Sequence, residues 1–191
     1  MILSEFQTVG RDLFTRGLVS SHSGDLSVRR GDRLFITRRG SMLGCLSEHD
    51  LVETGIIRNN RATPLASTEL ALHRAFYQQT PARAIVHAHP PHAIALSLTD
   101  NEVAPCDHEG FSLLPRIPVL GRGAGLKLEE LVGELVKALK EFRIVLVYGH
   151  GSFAVGQLLE EAYQCTTALE ESCRIICLLR SLEAKNPPLV R

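Results

Sequence analysis

The sequence predicts a single α/β domain in which helices cover a mixed or antiparallel sheet. Three observations support this prediction. The chain of 191 residues has the length of one domain and contains no internal repeat or linker. Segments with helical periodicity alternate with short strand-like segments, and several of these are joined by turns of hairpin length. We therefore expect one domain over residues 1–191.

Helical periodicity predicts the first element, in which apolar residues recur three or four positions apart before a glycine: Phe6, Val9, Leu13 and Gly17. Two short strands at 26–29 and 33–37 flank a glycine-containing turn and are predicted to pair antiparallel. A third strand is expected at 51–57. Ser67 is a good N-cap for a helix that ends near Gln79.

The middle of the chain is predicted to continue with a compact strand at 84–88, which Pro90 and the proline after it would stop. A short helix is expected at 92–98, before an irregular stretch over 99–125. A leucine-rich stripe then predicts a helix over 128–142.

The last third of the chain begins with a buried strand at 144–148, which ends at the tripeptide Gly149-His150-Gly151. Another short strand follows at 152–155. Apolar residues on one face then predict a long helix from 159 to about 182. This order of elements is what predicts a sheet covered by helices.

Composition and charge exclude several classes of protein. Hydrophobic residues make up 45% of the chain and charged residues 22%, which excludes a disordered protein. Twenty-one Lys and Arg balance 21 Asp and Glu, so no excess positive charge favours binding to nucleic acid or to an anionic membrane. We therefore expect neither kind of partner, and recognition of a small molecule at a local site.

The first residues and the cysteines bear on the cellular compartment. The chain reaches Glu5 without the basic start and long apolar stretch of a signal peptide, which predicts a cytoplasmic protein. Its five cysteines show no C-x-x-C spacing, so neither a disulfide framework nor a thiolate zinc site is indicated. Cys173 and Cys177 share one helix face, where core packing is the favoured interpretation and metal binding the alternative.

Three histidines are the candidate metal ligands. His87 and His89 are two residues apart in a predicted strand, so their side chains point to the same face. His150 follows another buried strand and lies between two glycines, where the chain can turn sharply. A purely structural role is the alternative for each residue taken alone. His92 is a competing ligand, although the prolines before it leave its direction undetermined.

Glu69 is a candidate acid or base. It lies in the first turn after Ser67, where an acidic residue also complements the positive end of a helix dipole. Beside a metal ion its carboxylate would instead act as a general base. His73 follows one helical turn later and is a candidate for orienting Glu69.

Two loops have the composition of an anion site. The segment 37–41 carries hydroxyl groups, two arginines and a glycine, and Ser67 and Thr68 open a helix whose free amides attract phosphate. Ordinary turn chemistry explains the same residues equally well.

Taken in chain order, five motifs resemble the class II aldolase/adducin family, and its fuculose-phosphate aldolases in particular. These motifs are Ser23-Gly24-Asp25-Leu26-Ser27-Val28-Arg29, Ile36-Thr37-Arg38-Arg39-Gly40, Ser67-Thr68-Glu69, Val86-His87-Ala88-His89-Pro90 and Gly149-His150-Gly151. The resemblance spans nearly the whole chain. It implies a three-layer α/β/α domain with a central mixed, largely antiparallel sheet, and a homotetramer.

The resemblance also implies roles for individual residues. One Zn²⁺ per chain would be bound by His87, His89 and His150, and Glu69 would be the catalytic acid/base. The implied phosphate contacts are Asp25, Thr37, Gly40, Ser67 and Thr68. The implied reaction is cleavage of a ketose 1-phosphate to dihydroxyacetone phosphate and an aldehyde. A 4-epimerase, a methylthioribulose-1-phosphate dehydratase and an adducin-like binding module are the alternatives.

Two departures from the family pattern lead to further expectations. Asp25 replaces the usual asparagine, and because its charge would repel a phosphate, we expect Arg39 to bridge the Asp25 carboxylate and a phosphate oxygen, with Arg38 as the alternative. The tyrosine that donates a proton in fuculose-phosphate aldolases has no clear counterpart here, and His108 or Glu109 lies near the matching place.

Overall fold

A computed structural model describes residues 2–123 and 128–185. The six helices of this part are α1 (Ile2–Thr15), α2 (Leu70–Gln79), α3 (Pro91–Thr99), α4 (His108–Leu113), α5 (Leu128–Ala138) and α6 (Leu159–Lys185). The strands are β1 (Asp25–Arg30), β2 (Arg33–Thr37), β3 (Leu51–Gly55), β4 (Ala84–Ala88), β5 (Glu102–Val103), β6 (Ile117–Leu120), β7 (Ile144–Val147) and β8 (Gly151–Gly156). None of the described helices combines the length and the apolar composition needed to cross a bilayer.

The strands form one sheet in the order β3-β2-β1-β4-β8-β7-β6-β5. Every neighbouring pair is antiparallel except β6 and β7, which are parallel. The prediction of a mixed, largely antiparallel sheet is confirmed. At the centre of the sheet, His87 of β4 lies opposite Asp25 of β1 on one side and opposite Phe153 of β8 on the other.

The sheet separates two apolar cores, which makes the domain three layers thick. One core packs under α1, α3, α4 and α6 and includes Ala84, Val86 and Ala88 of β4. The other packs under α2 and α5 and includes Ile85. Since side chains alternate along a strand, His87 lies on the same face as Ile85, toward α2. The expected three-layer α/β/α architecture is confirmed.

The predictions for individual elements were accurate except at four places. The helix predicted over 128–142 ends at Ala138. The stretch predicted to be irregular contains β5, α4 and β6 in its described part, and its residues 124 and 125 lie outside the described residues. The third strand, predicted to reach residue 57, ends at Gly55. The chain turns back after Gly55, so that the backbone of Arg58 lies close to it. Finally, Glu69 and not Ser67 is the N-cap residue of α2.

Candidate metal centre and the buried groups behind it

The imidazoles of His87, His89 and His150 converge at one edge of the sheet. The candidate ligand atoms of the three residues all lie within 4.8 Å of one another. His87 lies in β4, His89 follows that strand, and His150 lies in the turn between β7 and β8. Because β4 and β8 are antiparallel neighbours, the end of one strand meets the start of the other. The three histidines that the sequence analysis selected are therefore brought together.

The two histidines of the β4 segment face each other closely. The Nε2 atoms of His87 and His89 are 2.9 Å apart. The Nδ1 atom of His87 lies 3.0 Å from the carbonyl oxygen of Ser152, which accepts a hydrogen bond when Nδ1 is protonated. That tautomer leaves a lone pair on Nε2, directed into the cluster. His87 thus has the orientation of a metal ligand that is held from behind by the backbone.

Two glycines shape the turn that carries His150. Gly149 has a φ of +63°, a conformation that glycine adopts at little cost, and its N–H donates to Ser97 Oγ at 2.9 Å. Gly151 leaves space for the histidines: a Cβ there would contact the Ala88 carbonyl oxygen and lie 2.8 Å from Cδ2 of His89. Both glycines are therefore required by the geometry of the cluster.

The carboxylate of Glu69 faces the cluster from the start of α2. Its Oε2 atom lies 3.4 Å from His87 Nε2, and its Oε1 atom lies 3.6 Å from His150 Nε2. Within the described part of the chain, Glu69 Oε2 and His150 Nε2 are buried without a hydrogen-bond partner. Buried polar atoms without partners indicate a missing partner such as an ion.

The electrostatics of the cluster suit a cation. Burial lowers the pKa of His87, and burial together with the charges of His87 and His150 lowers the pKa of His89 to about 3. The imidazoles of His87 and His89 are therefore neutral near pH 7, which is the form that binds metals. Three imidazole nitrogens match the protein ligands of a catalytic zinc site. The residues present fit one divalent metal ion.

Other residues considered as ligands lie elsewhere. The Nδ1 atom of His92 lies 2.7 Å from Glu170, whose carboxylate also accepts the N–H groups of His92 and Ala93 at the start of α3. The hypothesis that His92 competes as a ligand is therefore wrong. Cys173 lies on α6 and is buried in the core, as expected for a packing residue.

The candidate proton donors of the 105–110 segment also lie outside the cluster. His108 and Glu109 are exposed in the first turn of α4. Neither residue is part of the two groups of ligand-like side chains found among the described residues. A proton-donating role for His108 or Glu109 stays a prediction.

Asp25 is buried behind the cluster and does not contact Arg39. Its Oδ2 atom accepts a short hydrogen bond from Ser67 Oγ. Its Oδ1 atom lies 2.8 Å from His73 Nε2, at the distance of an ionic contact although not at the angle of a hydrogen bond. Arg39, by contrast, is exposed. The expected bridge from Arg39 to Asp25 is wrong, because His73 and Ser67 occupy the two carboxylate oxygens of Asp25.

The environment of Asp25 keeps it ionised. Burial, the largest single effect, would raise the pKa of Asp25, but His73, His87 and the hydrogen bond from Ser67 together lower it to about 2. The expectation that His73 orients Glu69 directly is also corrected. His73 lies near Glu69, but its hydrogen-bonding-distance contacts are to Asp25 and to Ser27 Oγ, 2.6 Å from His73 Nδ1.

The two candidate anion loops lie side by side. Ser67 N–H donates to the Thr37 carbonyl oxygen at 3.0 Å, and Arg39 N–H donates to Leu65 O at 3.0 Å. Thr37 is buried and its hydroxyl accepts the Leu26 N–H, whereas Gly40 and Thr68 are exposed, as are both arginines. The groups open to a ligand are therefore the arginines, Gly40 and Thr68.

Three residues near the cluster were missed by the sequence analysis. Ser27 and Tyr77 continue the buried polar contacts of Asp25 and His73, and Phe153 stacks on His87 with centroids 4.2 Å apart. A signal for the first two was present. Ser27 lies two residues after Asp25 on a strand, and Tyr77 lies four residues after His73 on a helix, so each pair shares a face.

Comparisons with known proteins identify relatives of the chain. Residues 4–177 match the family described as Class II Aldolase and Adducin N-terminal domain. The L-fuculose phosphate aldolase of Methanocaldococcus jannaschii is 28% identical over 177 residues, covering 91% of this chain and 94% of that protein. The 3-oxo-tetronate 4-phosphate decarboxylase of Haemophilus influenzae is 30% identical over 182 residues, covering 90% and 85%.

A solved structure resembles the fold closely. The L-fuculose-1-phosphate aldolase of Thermus thermophilus superimposes with a TM-score of 0.90 at 37% sequence identity. The match covers 98% of each chain.

Proposed function

The chain belongs to the class II aldolase and adducin family, and we propose that it is a divalent-metal-dependent aldolase that cleaves a ketose 1-phosphate into dihydroxyacetone phosphate and an aldehyde. Family membership supports an enzyme of the lyase class. The observation that carries the proposal is the position of the Glu69 carboxylate, 3.4 Å from His87 and 3.6 Å from His150. A proton-transfer group and a metal-binding group thus share one site.

His87, His89 and His150 are proposed to bind the metal, with Zn²⁺ as the first choice because of the nitrogen-rich donor set. A bound divalent ion supplies positive charge where negative charge develops on the substrate oxygens during the reaction. The protein's contribution is to hold the imidazoles in place. The Ser152 carbonyl oxygen does this for His87.

Glu69 is proposed to move the proton at C3 of the sugar. In the cleavage direction, the bond between C3 and C4 breaks, the C4 hydroxyl gives its proton to solvent water, and C4 becomes the carbonyl carbon of the aldehyde. The electron pair left on C3 takes a proton from Glu69 in its protonated form, and the resulting carboxylate is protonated again from water. In the synthetic direction, the Glu69 carboxylate removes that proton from dihydroxyacetone phosphate.

The substrate phosphate is proposed to bind where the two anion loops are open to solvent. Arg38 and Arg39 supply charge, and Gly40 and Thr68 supply backbone and hydroxyl donors. Asp25 is excluded from this role by its burial and its negative charge. The homotetramer implied by the family resemblance belongs to the same proposal, and sedimentation velocity tests it.

A second candidate, a decarboxylase, is favoured by the Haemophilus influenzae relative. Loss of CO₂ from a 3-oxo acid leaves an electron pair on the carbon next to a carbonyl group, as cleavage of an aldol does. The same arrangement of charge and proton donor serves both reactions.

The decisive experiment is an assay of the purified protein against ketose 1-phosphates and phosphorylated 3-oxo acids, with Zn²⁺, Co²⁺ and Mn²⁺ added separately. We expect metal-dependent formation of dihydroxyacetone phosphate from at least one ketose 1-phosphate. Release of CO₂ from the acids alone would replace the aldolase by the decarboxylase. Turnover that is equal with metal and with a chelator would overturn the metal-dependent proposal.

A further inference from the structure

We infer that Asp25, Ser67 and His73 are positioning residues, which hold Glu69 in place through a buried chain of polar contacts. The functional meaning of this inference rests on the proposed role of Glu69. The residues that form this series of polar contacts are, in order, Tyr77, Ser27, His73, Asp25, Ser67 and Glu69. Asp25 therefore acts on the reaction through Glu69 and not through the phosphate of the substrate.

The polar contacts are continuous from Tyr77 to Glu69. Tyr77 OH lies 2.7 Å from Ser27 Oγ, which lies 2.6 Å from His73 Nδ1. His73 Nε2 lies 2.8 Å from Asp25, and Asp25 accepts from Ser67 Oγ. Ser67 Oγ in turn accepts the backbone N–H of Glu69 at 3.1 Å. All five residues other than Glu69 are buried, so water does not compete for these contacts.

One arrangement of hydrogen atoms lets every hydroxyl group in this series of contacts donate a hydrogen bond. Tyr77 donates to Ser27, Ser27 donates to His73 Nδ1, and the remaining N–H of His73 is directed at Asp25. From the other side, Ser67 donates to Asp25 while it accepts from Glu69. Asp25 Oδ2 accepts from Ser67 Oγ, and Asp25 Oδ1 makes a polar contact with His73 Nε2 at 2.8 Å. An uncharged group at position 25 would weaken the electrostatic part of the contact with His73.

Asp25 binds the α2 segment at two points that lie on either side of Glu69. Ser67 is two residues before Glu69, and His73 is one helical turn after it. Asp25 itself is fixed in β1, directly opposite His87 of β4. The carboxylate thus links the start of α2 to the strand that carries the proposed metal ligands. This linkage sets the position of Glu69 relative to His87.

The test combines amide hydrogen exchange with steady-state kinetics and metal analysis. In Ser67→Ala the Glu69 N–H loses its acceptor, and we expect its exchange rate to rise roughly tenfold, as for loss of one hydrogen bond. In Asp25→Asn the new amide group faces the N–H of His73, so exchange at Glu69 also rises. For both variants we expect kcat to fall about tenfold, KM to stay within about twofold and metal content to stay at the wild-type level.

Two controls separate positioning from a general loss of stability. Ser67→Thr keeps the hydroxyl group and is expected to restore both the exchange rate and kcat. Tyr163→Phe removes a hydroxyl that donates to the carboxylate of Asp12, outside this chain of contacts, and is expected to leave Glu69 exchange unchanged.

The outcomes are distinct. A raised KM with unchanged kcat and unchanged exchange in Asp25→Asn would make Asp25 a substrate contact and overturn the inference. Exchange that rises equally at amides throughout the protein would reduce Asp25 to a residue that only stabilises the fold, which also overturns it. If the wild-type protein cleaves no ketose phosphate, the proposed function fails, yet the exchange at Glu69 still decides whether the polar contacts position this residue.

Discussion

Phe153 and His87 face each other across β8 and β4, and their rings stack with centroids 4.2 Å apart and planes 14° apart. Phe153 is fully buried, and its ring also meets the edges of Phe76 and His73. One aromatic side chain therefore packs against both a proposed metal ligand, His87, and a member of the buried series of polar contacts, His73. The ring of His150 is also nearly parallel to that of His87, at a centroid distance of 5.1 Å.

Phe153→Leu should weaken metal binding while the protein stays folded. Leucine fills much of the volume but cannot support the imidazole face, so we expect a loss of about 1–2 kcal/mol in the free energy of unfolding and a several-fold weaker affinity for Zn²⁺. Urea denaturation and metal titration measure the two effects. Phe142→Leu, at the margin of the same core, is the control. Unchanged metal affinity would show that the stack does not orient His87.

His89→Ala and His150→Ala should each lose the bound metal. Three protein ligands are the usual number in a catalytic zinc site, so removal of one sharply lowers the affinity. We expect elemental analysis to give about one metal ion per chain in the wild-type protein and little in either variant. His49→Ala, which replaces an exposed histidine, should keep its metal. Full metal content in both cluster variants would refute the assignment.

Glu69→Gln should bind metal normally and lose catalysis by roughly 10²–10⁴-fold, the range for removal of a general base. The amide keeps the shape of the carboxylate but cannot take up a proton. Exchange of the carbon-bound proton of dihydroxyacetone phosphate with deuterated solvent measures this step directly. Exchange at the wild-type rate in the variant would leave Glu69 with a structural role as the N-cap of α2.

Gly151→Ala should disrupt the cluster although its backbone conformation does not require glycine. The added methyl group would contact the Ala88 carbonyl oxygen and lie 2.8 Å from His89 and 3.3 Å from His87. We expect displaced imidazoles and clearly weaker metal binding, measured by titration. Gly133→Ala on α5 is the matched control, since no atom lies within 4 Å of the added Cβ there. Equal affinities of the two variants would contradict this account.

The metal-free protein should lose stability as the pH falls from 8 to 5. The pKa of His89 is about 3 in the folded protein, below its ordinary value of 6.5, because of burial and neighbouring charge. Above pH 6.5 the His89 imidazole is neutral in both the folded and the unfolded protein. Below pH 6.5 it takes up a proton in the unfolded protein but not in the folded one, so the free energy of unfolding falls. Asp25, whose pKa is lowered from 3.8, adds pH dependence only below this range.

Thermal unfolding of the metal-free protein at pH 8, 6.5 and 5 checks this expectation. His89→Gln should lose less stability across the same interval, since glutamine does not titrate. A melting temperature of the wild-type protein that is constant or rises as the pH falls would contradict the sign of the effect.

Strongly periodic elements and local motifs were predictable from the sequence. The β1–β2 hairpin, α1 and the pair His87 and His89 follow from spacing alone, because the periods of strands and helices fix which side chains share a face. β6 was missed because it has four residues, one of them Pro118, and is ordered by pairing with β7. Such a strand depends on a partner that is distant in sequence, and local propensity does not reveal it.

The α/β fold class, the three histidines and the place of Glu69 beside a helix start could all be predicted from the amino-acid sequence. The surroundings of Asp25 could not, because they form only when the chain folds. Its partners Ser67 and His73 are 42 and 48 residues away in the chain, and Arg39, which is much nearer in sequence, does not reach it. The physical reason is burial: inside the domain a charge must be paired by whichever groups the packing of α2 on the sheet brings within reach, and sequence distance carries no information about that.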